Sequence, residues 1–216
     1  MSGPAIYILL GVVGLFLITQ VIWRLASRRQ SLPCPSWLHW MVELDNPFTR
    51  VNRAATILEH LDAQPGMTVA DIGCGPGRVT IPLARAVGPE GEVVAVDLQS
   101  GMLDLVRKKA EAESLTNIRL LHAGVGAGEL GQERFDRAAL VTVLGEIPDR
   151  QAALREIYGA MKPGGILSVT EVIFDPHFQG RTHVRRLAEA AGFREKAFYG
   201  SRIAYTIHFE RCSNES

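Results

Sequence analysis

The stretch VADIGCGPGRVT over 69–80 sets glycine at every second position, Gly73, Gly75 and Gly77, and places the carboxylate of Asp71 two residues before the first. Glycines directly after an apolar run let another group approach the backbone closely. A second carboxylate, Asp97, ends the next apolar run, GEVVAVD over 91–97. An acid at that place can accept hydrogen bonds from the hydroxyls of a ribose. Proton-accepting side chains follow the later apolar runs: Glu146 after FDRAALVTVL (135–144), and Glu171, Asp175 and His177 within TEVIFDPHFQ. A histidine with an ordinary pKa near ~6.5 can act as a base at neutral pH. Each of these also has a structural reading. Glu146 can open the helix that follows, although Pro148-Asp149 is the better helix start. Asp175-Pro176 is a natural turn pair. His177 can be a surface residue, and Glu171 can face either a cleft or a neighbouring strand.

These residues need elements to position them. Val51, Ala54, Ile57, Leu58 and Leu61 recur at three and four, which predicts an amphipathic helix over 48–61. Strands and helices then alternate. Strands are expected at 68–72, 91–97, 117–123, 135–144 and 164–172, and helices at 77–87, 100–113, 149–161 and 181–191. Gly192 is suited to a left-handed helix end. Two β-like runs, 193–200 and 202–210, lie so close together that they should pair antiparallel. The pattern predicts an α/β fold: a Rossmann-like, seven-stranded, mostly parallel sheet with an antiparallel last strand and helices on both faces. The glycine stretch joins the first strand to the helix after it, where open α/β sheets bind ligands.

A nicotinamide or flavin site would want G-x-G-x-x-G. Arg78 stands at the third glycine of that pattern, and the observed order is D-x-G-x-G-x-G. Together with Asp97, this order resembles the class I S-adenosylmethionine-dependent methyltransferases, in particular their ubiquinone/menaquinone-biosynthesis-like (type 11) branch. The resemblance covers about residues 48–210. DIGCGPG is similar to the first motif of that family and VDLQSGML to its ribose-binding strand end. FDRAALVTVL resembles its fourth strand, ALREIYGAMKPGG its L-x-E-x-x-R-x-L-K-P-G-G signature, and AAGF its late helix end. The resemblance implies S-adenosyl-L-methionine as cofactor and methyl transfer as the reaction. It puts Asp71, Gly73, Gly75 and Gly77 around the methionine part of the cofactor, with Cys74 as a small filler of that loop rather than a nucleophile. It puts Asp97 on the ribose and Leu98 and Met102 beside the adenine. Val125 and Val143 complete the implied cofactor set. The chain departs from the family at two places. Val125 stands where an acid usually holds the adenine amino group, which leaves backbone groups to do so. Gly145-Glu146 replaces histidines carried by many relatives.

Methyl transfer from a sulfonium is an in-line displacement, so positioning the two reactants supplies most of the acceleration. An acceptor that carries a proton also needs a base. Glu146, His177 and Glu171 are the candidate catalytic residues, and no metal site is expected.

The composition bounds the rest. The chain has 216 residues, and 23 basic side chains balance 23 acidic ones. That balance argues against a nucleic-acid partner, as does LGEI, which stands where amino-group base methylators resembling this fold carry Asn-Pro-Pro-aromatic. Cys34, Cys74 and Cys212 form no disulfide framework, which suits a reducing compartment. The run AIYILLGVVGLFLITQVIW (5–23) carries no charge and has the length of a bilayer's hydrocarbon core. It lacks the basic start and small-residue cleavage site of a signal peptide, so a retained transmembrane helix is expected. Arg24, Arg28 and Arg29 follow it, which places the later residues in the cytoplasm. Trp37, Trp40, Met41 and Leu44 fall at helical spacing and read as a core-packing helix or as an interfacial one. The expected organisation is a transmembrane helix with a basic flank at 1–30, an interfacial linker or helix at 31–47, and a methyltransferase domain at 48–216. The expected partners are the membrane and a lipophilic small-molecule or lipid acceptor. The competing reading is a cofactor-binding membrane protein without catalysis that regulates a partner.

Overall fold

The computed structural model describes residues 49–212, together with Tyr7, Gly11, Val12, Gly14, Leu15, Ile18 and Glu43. The expected membrane segment at 5–23 and the tryptophan-bearing segment at 37–44 lie largely outside the described residues. Among the described residues, no helix is long and apolar enough to cross a membrane.

Seven strands form one sheet. β1 (Thr68–Ile72), β2 (Glu92–Asp97), β3 (Ile118–His122), β4 (Phe135–Val141) and β5 (Met161–Val172) are parallel. β7 (Ala204–Arg211) runs antiparallel between β5 and β6 (Phe193–Gly200). The order across the sheet is β3-β2-β1-β4-β5-β7-β6. The strand order reverses between β1 and β4, which are parallel neighbours, and the crevice of an open sheet falls at that switch point.

Helices cover both faces. The alternation of side chains along each strand assigns them. Val69 and Val93 point to the side where α1 (Ala54–Leu61) and α2 (Thr80–Val87) bury Ile57, Leu61, Leu83 and Val87. On the same side, α3 (Ser100–Ala112) packs Leu103 and Val106 against Ala95. Ala70, Ile72, Val94 and Val96 point the other way. They share a core with Leu154 and Ile157 of α4 (Arg150–Ala160) and with Val184 and Ala188 of α5 (Arg181–Ala190). Burial on both faces is why β1, β2 and β4 read as continuous apolar runs rather than as alternating ones.

The first helix begins at Ala54 rather than 48, because residues 50–53 form a turn before it. The other elements sit close to where the sequence predicts them, with three informative shifts. α2 begins at Thr80, three residues later than expected, because residues 77–79 belong to the turn that closes the glycine loop. β4 ends at Val141 rather than 144, and a 3₁₀ turn, Leu144–Glu146, follows. β5 begins at Met161, because Lys162–Gly165 bulge out between the Met161 and Ile166 pairings with β4. Asp149 caps α4 by accepting a hydrogen bond from the Ala152 amide at 2.8 Å, so the helix start lies at Pro148-Asp149 and not at Glu146. Gly192, at φ 106°, lies just past the end of α5, as expected of its sequence position.

Candidate functional site

A cavity of about 240 Å³ opens at the carboxyl ends of β1, β2 and β4. Three chain segments build most of its wall. The glycine loop gives Gly73 and Gly75, the end of β2 gives Asp97, Leu98 and Gln99, and the end of β4 gives Thr142, Val143 and Glu146.

The glycine loop is shaped by its own backbone. Gly73, Gly75 and Gly77 all have positive φ, at 69°, 52° and 87°. At Gly73 the amide donates to the Val96 carbonyl at 2.8 Å, and the Cys74 amide donates to the same oxygen at 3.0 Å. A Cβ at Gly73 would overlap the side chain of Val143. The glycine therefore lets the β1 loop close against the end of β4, in a conformation that side-chain-bearing residues rarely adopt.

Asp97 joins the loops. Its Oδ2 accepts from the Gly75 amide at 2.9 Å and its Oδ1 from the Gln99 amide at 2.8 Å. A carboxylate has about four lone-pair sites, so acceptor capacity remains toward the cavity that Asp97 lines. Burial raises its pKa, against the backbone amides of Gln99, Gly75 and Leu98 and the nearby His122, which lower it.

Val125, Leu98 and Met102 also line the cavity, with Ala123 and Gly124. Asp71, Cys74 and Gly77, grouped with the cofactor residues by sequence, do not. The Asp71 carboxylate lies under the loop and accepts from the Thr80 hydroxyl at 2.6 Å, which ties β1 to the first turn of α2. Burial raises its pKa to about 6. The Cys74 side chain packs into the small core with Leu103 and Val106, and burial raises its thiol pKa well above the ordinary value. That thiol is a packing group, as its sequence context implies. Gly77 faces Val106 of α3, where an added Cβ would come within 3.1 Å of a Val106 methyl.

The expected proton acceptors separate in the same way. Glu146 lines the cavity. Burial, with the nearby charges of Asp175 and Asp97, raises its pKa to about 8. His177 lies behind it with its side chain 5% exposed, and its Nδ1 stands 3.6 Å from Glu146 Oε1 and 3.9 Å from Asp175 Oδ1. His177 is thus a buried residue, not a surface one. Both of its ring nitrogens lack a hydrogen-bond partner among the described residues. Glu171 is buried on β5 away from the cavity wall, and its Oε2 accepts from the Gln179 amide at 2.9 Å. Burial raises its pKa to about 8 as well.

The 3₁₀ turn explains why Gly145 cannot be a larger residue. A Cβ there would overlap the His177 carbonyl oxygen, so the turn and the loop after β5 touch backbone to backbone. Arg150 fixes the turn by donating to the carbonyls of Leu144 at 3.0 Å and Gly145 at 2.7 Å.

Among the cavity residues that sequence reasoning passed over, four carry polar groups or a position beside the candidate base. Asp175 reads as a turn residue and is one, because its Oδ1 accepts from the His177 amide at 2.7 Å, yet it also lines the cavity. Its position two residues from His177 was the available signal. Gln99 and Ile147 carry no motif. Thr142 is a β-branched residue at φ 57°, where its amide donates to the Thr170 carbonyl at 2.8 Å. Such a residue in the left-handed region is an outlier of the kind found at functional sites, and nothing in its residue type announces it.

Comparison with known proteins fits this geometry. Residues 69–165 match the family described as a methyltransferase domain. The similarity is to S-adenosylmethionine-dependent methyltransferases. A demethylmenaquinone methyltransferase of Geobacillus stearothermophilus is 34% identical over 110 residues, which are 51% of this chain and 47% of that protein. The chain thus spans about half the length of the curated relatives it matches. A solved methyltransferase of Aquifex aeolicus, described as S-adenosylmethionine-dependent, superposes with a TM-score of 0.72 at 20% identity, over 82% of this chain and 98% of that one. The [4+2]-cyclase SpnF superposes with a TM-score of 0.62 at 21% identity, over 68% of this chain and 58% of that one. At such identities the structural likeness concerns the fold, and a fold hosts more than one chemistry. The matched domain and the curated relatives agree on methyl transfer, and the Aquifex aeolicus structure is the one described as S-adenosylmethionine-dependent.

Proposed function

We propose that the chain transfers a methyl group from S-adenosylmethionine to a lipophilic acceptor, of the quinone or lipid class, at the cytoplasmic face of a membrane. The observation that carries the cofactor part of this reading is Asp97, which bridges the glycine loop and the β2–α3 turn and keeps acceptor capacity toward the cavity. That donor set fits the cofactor. The Asp97 carboxylate would accept from the ribose hydroxyls. Leu98, Met102 and Val125 give an apolar wall for the adenine, whose polar edge falls to backbone groups because no acid stands at Val125. Gly73 and Gly75 bring bare backbone to the methionine part. Asp71, Cys74 and Gly77 would act indirectly, by holding the loop's shape from beneath.

The bound cofactor supplies the methyl group on an activated sulfur. The chain's own residues place the acceptor and handle its proton. Glu146 is the candidate base, since it faces the cavity between Val143 and Ile147. Its raised pKa makes its ionised form a stronger proton acceptor. His177 stands behind Glu146 to orient it, and Glu171, held by the Gln179 amide, supports the loop that carries His177.

The acceptor class rests on the curated relative named above and on the sequence. The apolar run 5–23 followed by Arg24, Arg28 and Arg29 supports a membrane anchor, residues 31–47 an interfacial linker, and residues 48–216 the catalytic domain. The test is to incubate full-length protein in vesicles with methyl-labelled donor and either a reduced demethylated naphthoquinone or total membrane lipids, and to identify labelled product by mass spectrometry. A labelled lipophilic product is expected. Donor binding without a labelled product in either mixture would overturn the reading and favour a cofactor-binding regulator.

A further inference from the structure

The large apolar side chains exposed on residues 49–212 are Leu98, Ile173, Phe174 and Ile203, at 63%, 36%, 58% and 53% exposure. They come from three separate connections. Leu98 follows β2, Ile173 and Phe174 follow β5, and Ile203 precedes β7. Because β7 runs antiparallel, the start of β7 lies beside the end of β5, where Val172 pairs with Ala204. The Ile173 amide donates to the Ile203 carbonyl at 2.7 Å, which joins two of these connections directly. All four side chains therefore lie on the carboxyl edge of the sheet, the edge at which the cavity opens. Leu98 and Asp175, next to Phe174, both line that cavity. An exposed apolar patch at the mouth of a site marks an interaction surface.

The chain enters the domain at this same edge. Val51 packs against Gly200 at the end of β6, where an added Cβ would lie 2.9 Å from a Val51 methyl. Arg78, in the glycine loop, donates to the Asn52 carbonyl at 2.5 Å. Glu43 pairs with Lys109, whose Nζ also donates to the Pro76 carbonyl of that loop at 2.8 Å. Val51, Asn52 and Glu43 thus lie on the side of the cavity mouth. The sequence before them carries the uncharged run 5–23 and the arginines Arg24, Arg28 and Arg29. Arg50, next to Val51, and Arg202, between β6 and β7, are exposed near the same edge. Apolar side chains flanked by arginines suit the boundary between lipid headgroups and acyl chains, with anionic headgroups as the counter-charge.

We propose that the carboxyl edge of the sheet is a membrane-docking surface, on which Ile173, Phe174 and Ile203 enter the headgroup–acyl boundary and turn the cavity mouth, with Leu98 on its rim, toward the bilayer. The proposal rests on the membrane-face reading above and adds the orientation: a lipophilic acceptor passes from the bilayer into the cavity without crossing water.

The test uses the full chain with Cys34→Ser and Cys212→Ser, reconstituted into phosphatidylcholine–phosphatidylglycerol vesicles with brominated acyl chains. A bimane label is placed at Ile203→Cys, at Phe174→Cys, or at Glu133→Cys on the opposite edge of the sheet. Bimane at 203 and 174 is expected to lose at least about half of its emission to the brominated chains, and bimane at 133 almost none, as for side chains at the acyl boundary and in water. Equal quenching at all three positions would overturn the docking surface. So would no quenching at 203 and 174, including the case in which those labels are shielded from aqueous iodide by another part of the chain or by a second copy. The readout needs no turnover. Quenching without a labelled methyl product would retain the surface and reject the activity, and the reverse would reject the surface alone.

Discussion

Replacing Asp97 by alanine tests the cavity most sharply, because one side chain serves two purposes there. In the structure it holds the Gly75 and Gln99 amides at 2.9 and 2.8 Å. In the proposed complex it also accepts from the ribose. Hydrogen bonds to a charged acceptor are worth about 1.5–3 kcal/mol. Losing the ribose contacts should therefore weaken S-adenosylmethionine binding by roughly 10- to 150-fold, at 1.4 kcal/mol per tenfold. The stability of the ligand-free protein should change less, by about 1 kcal/mol. The two amides lose a partner, but deletion also relieves a carboxylate whose charged form burial disfavours. Calorimetry of cofactor binding and thermal melting without cofactor separate the two effects. An affinity within about threefold of the parent, with melting unchanged, would refute the ribose role. A large fall in melting temperature with a matching affinity loss would show that Asp97 acts only by holding its two loops.

Three further outcomes follow from the same geometry. Gly145→Ala forces a methyl group into the His177 carbonyl and should cost about 1–3 kcal/mol in urea unfolding, the scale of overpacking; a neutral result would mean that the contact yields freely. The Glu171 carboxyl is raised to about 8 in the folded protein, above an unfolded value near ~4.3. Its contribution to stability is fully present below the unfolded value and is lost as pH rises through about 8. Glu171→Gln, which does not ionise, should therefore gain stability relative to the parent between pH 6 and pH 9.5, and a constant difference in urea midpoint across that range would contradict the shift. Glu146 must ionise to accept a proton, so the methylation rate should rise with pH through about 8. Glu146→Gln should lower the rate and flatten that rise, and an unchanged profile would remove Glu146 as base.

Most of the fold was legible because both signals are local. The alternation of apolar runs with 3.6-period segments fixes a parallel sheet, and the short link at Ser201 fixes the β6–β7 hairpin. The glycine loop and Asp97 were legible as a pair because a strand end followed by glycine has few structural uses. Three features were not. The Lys162–Gly165 bulge extends β5 backwards, because a Pro-Gly-Gly run reads as a turn when its partner strand is unknown. Asp71 carries the loop's first carboxylate, yet its bond to Thr80, nine residues on, directs it beneath the loop. Thr142 bends the end of β4 into the cavity by a backbone conformation that tertiary contacts impose. His177 was underrated for the same reason: a loop histidine is buried here only because Gly145 leaves room for its backbone.

The central claim is that the cavity between the glycine loop and the ends of β2 and β4 holds S-adenosylmethionine with its ribose on Asp97. The direct measurement is a crystal structure of the full chain, or of its complex in detergent, with S-adenosylhomocysteine. The account predicts the nucleoside in this cavity, both ribose hydroxyls within about 3.2 Å of the Asp97 carboxylate oxygens, and the adenine between Leu98, Met102 and Val125. The nucleoside bound elsewhere, or bound here with its ribose turned away from Asp97, would contradict it.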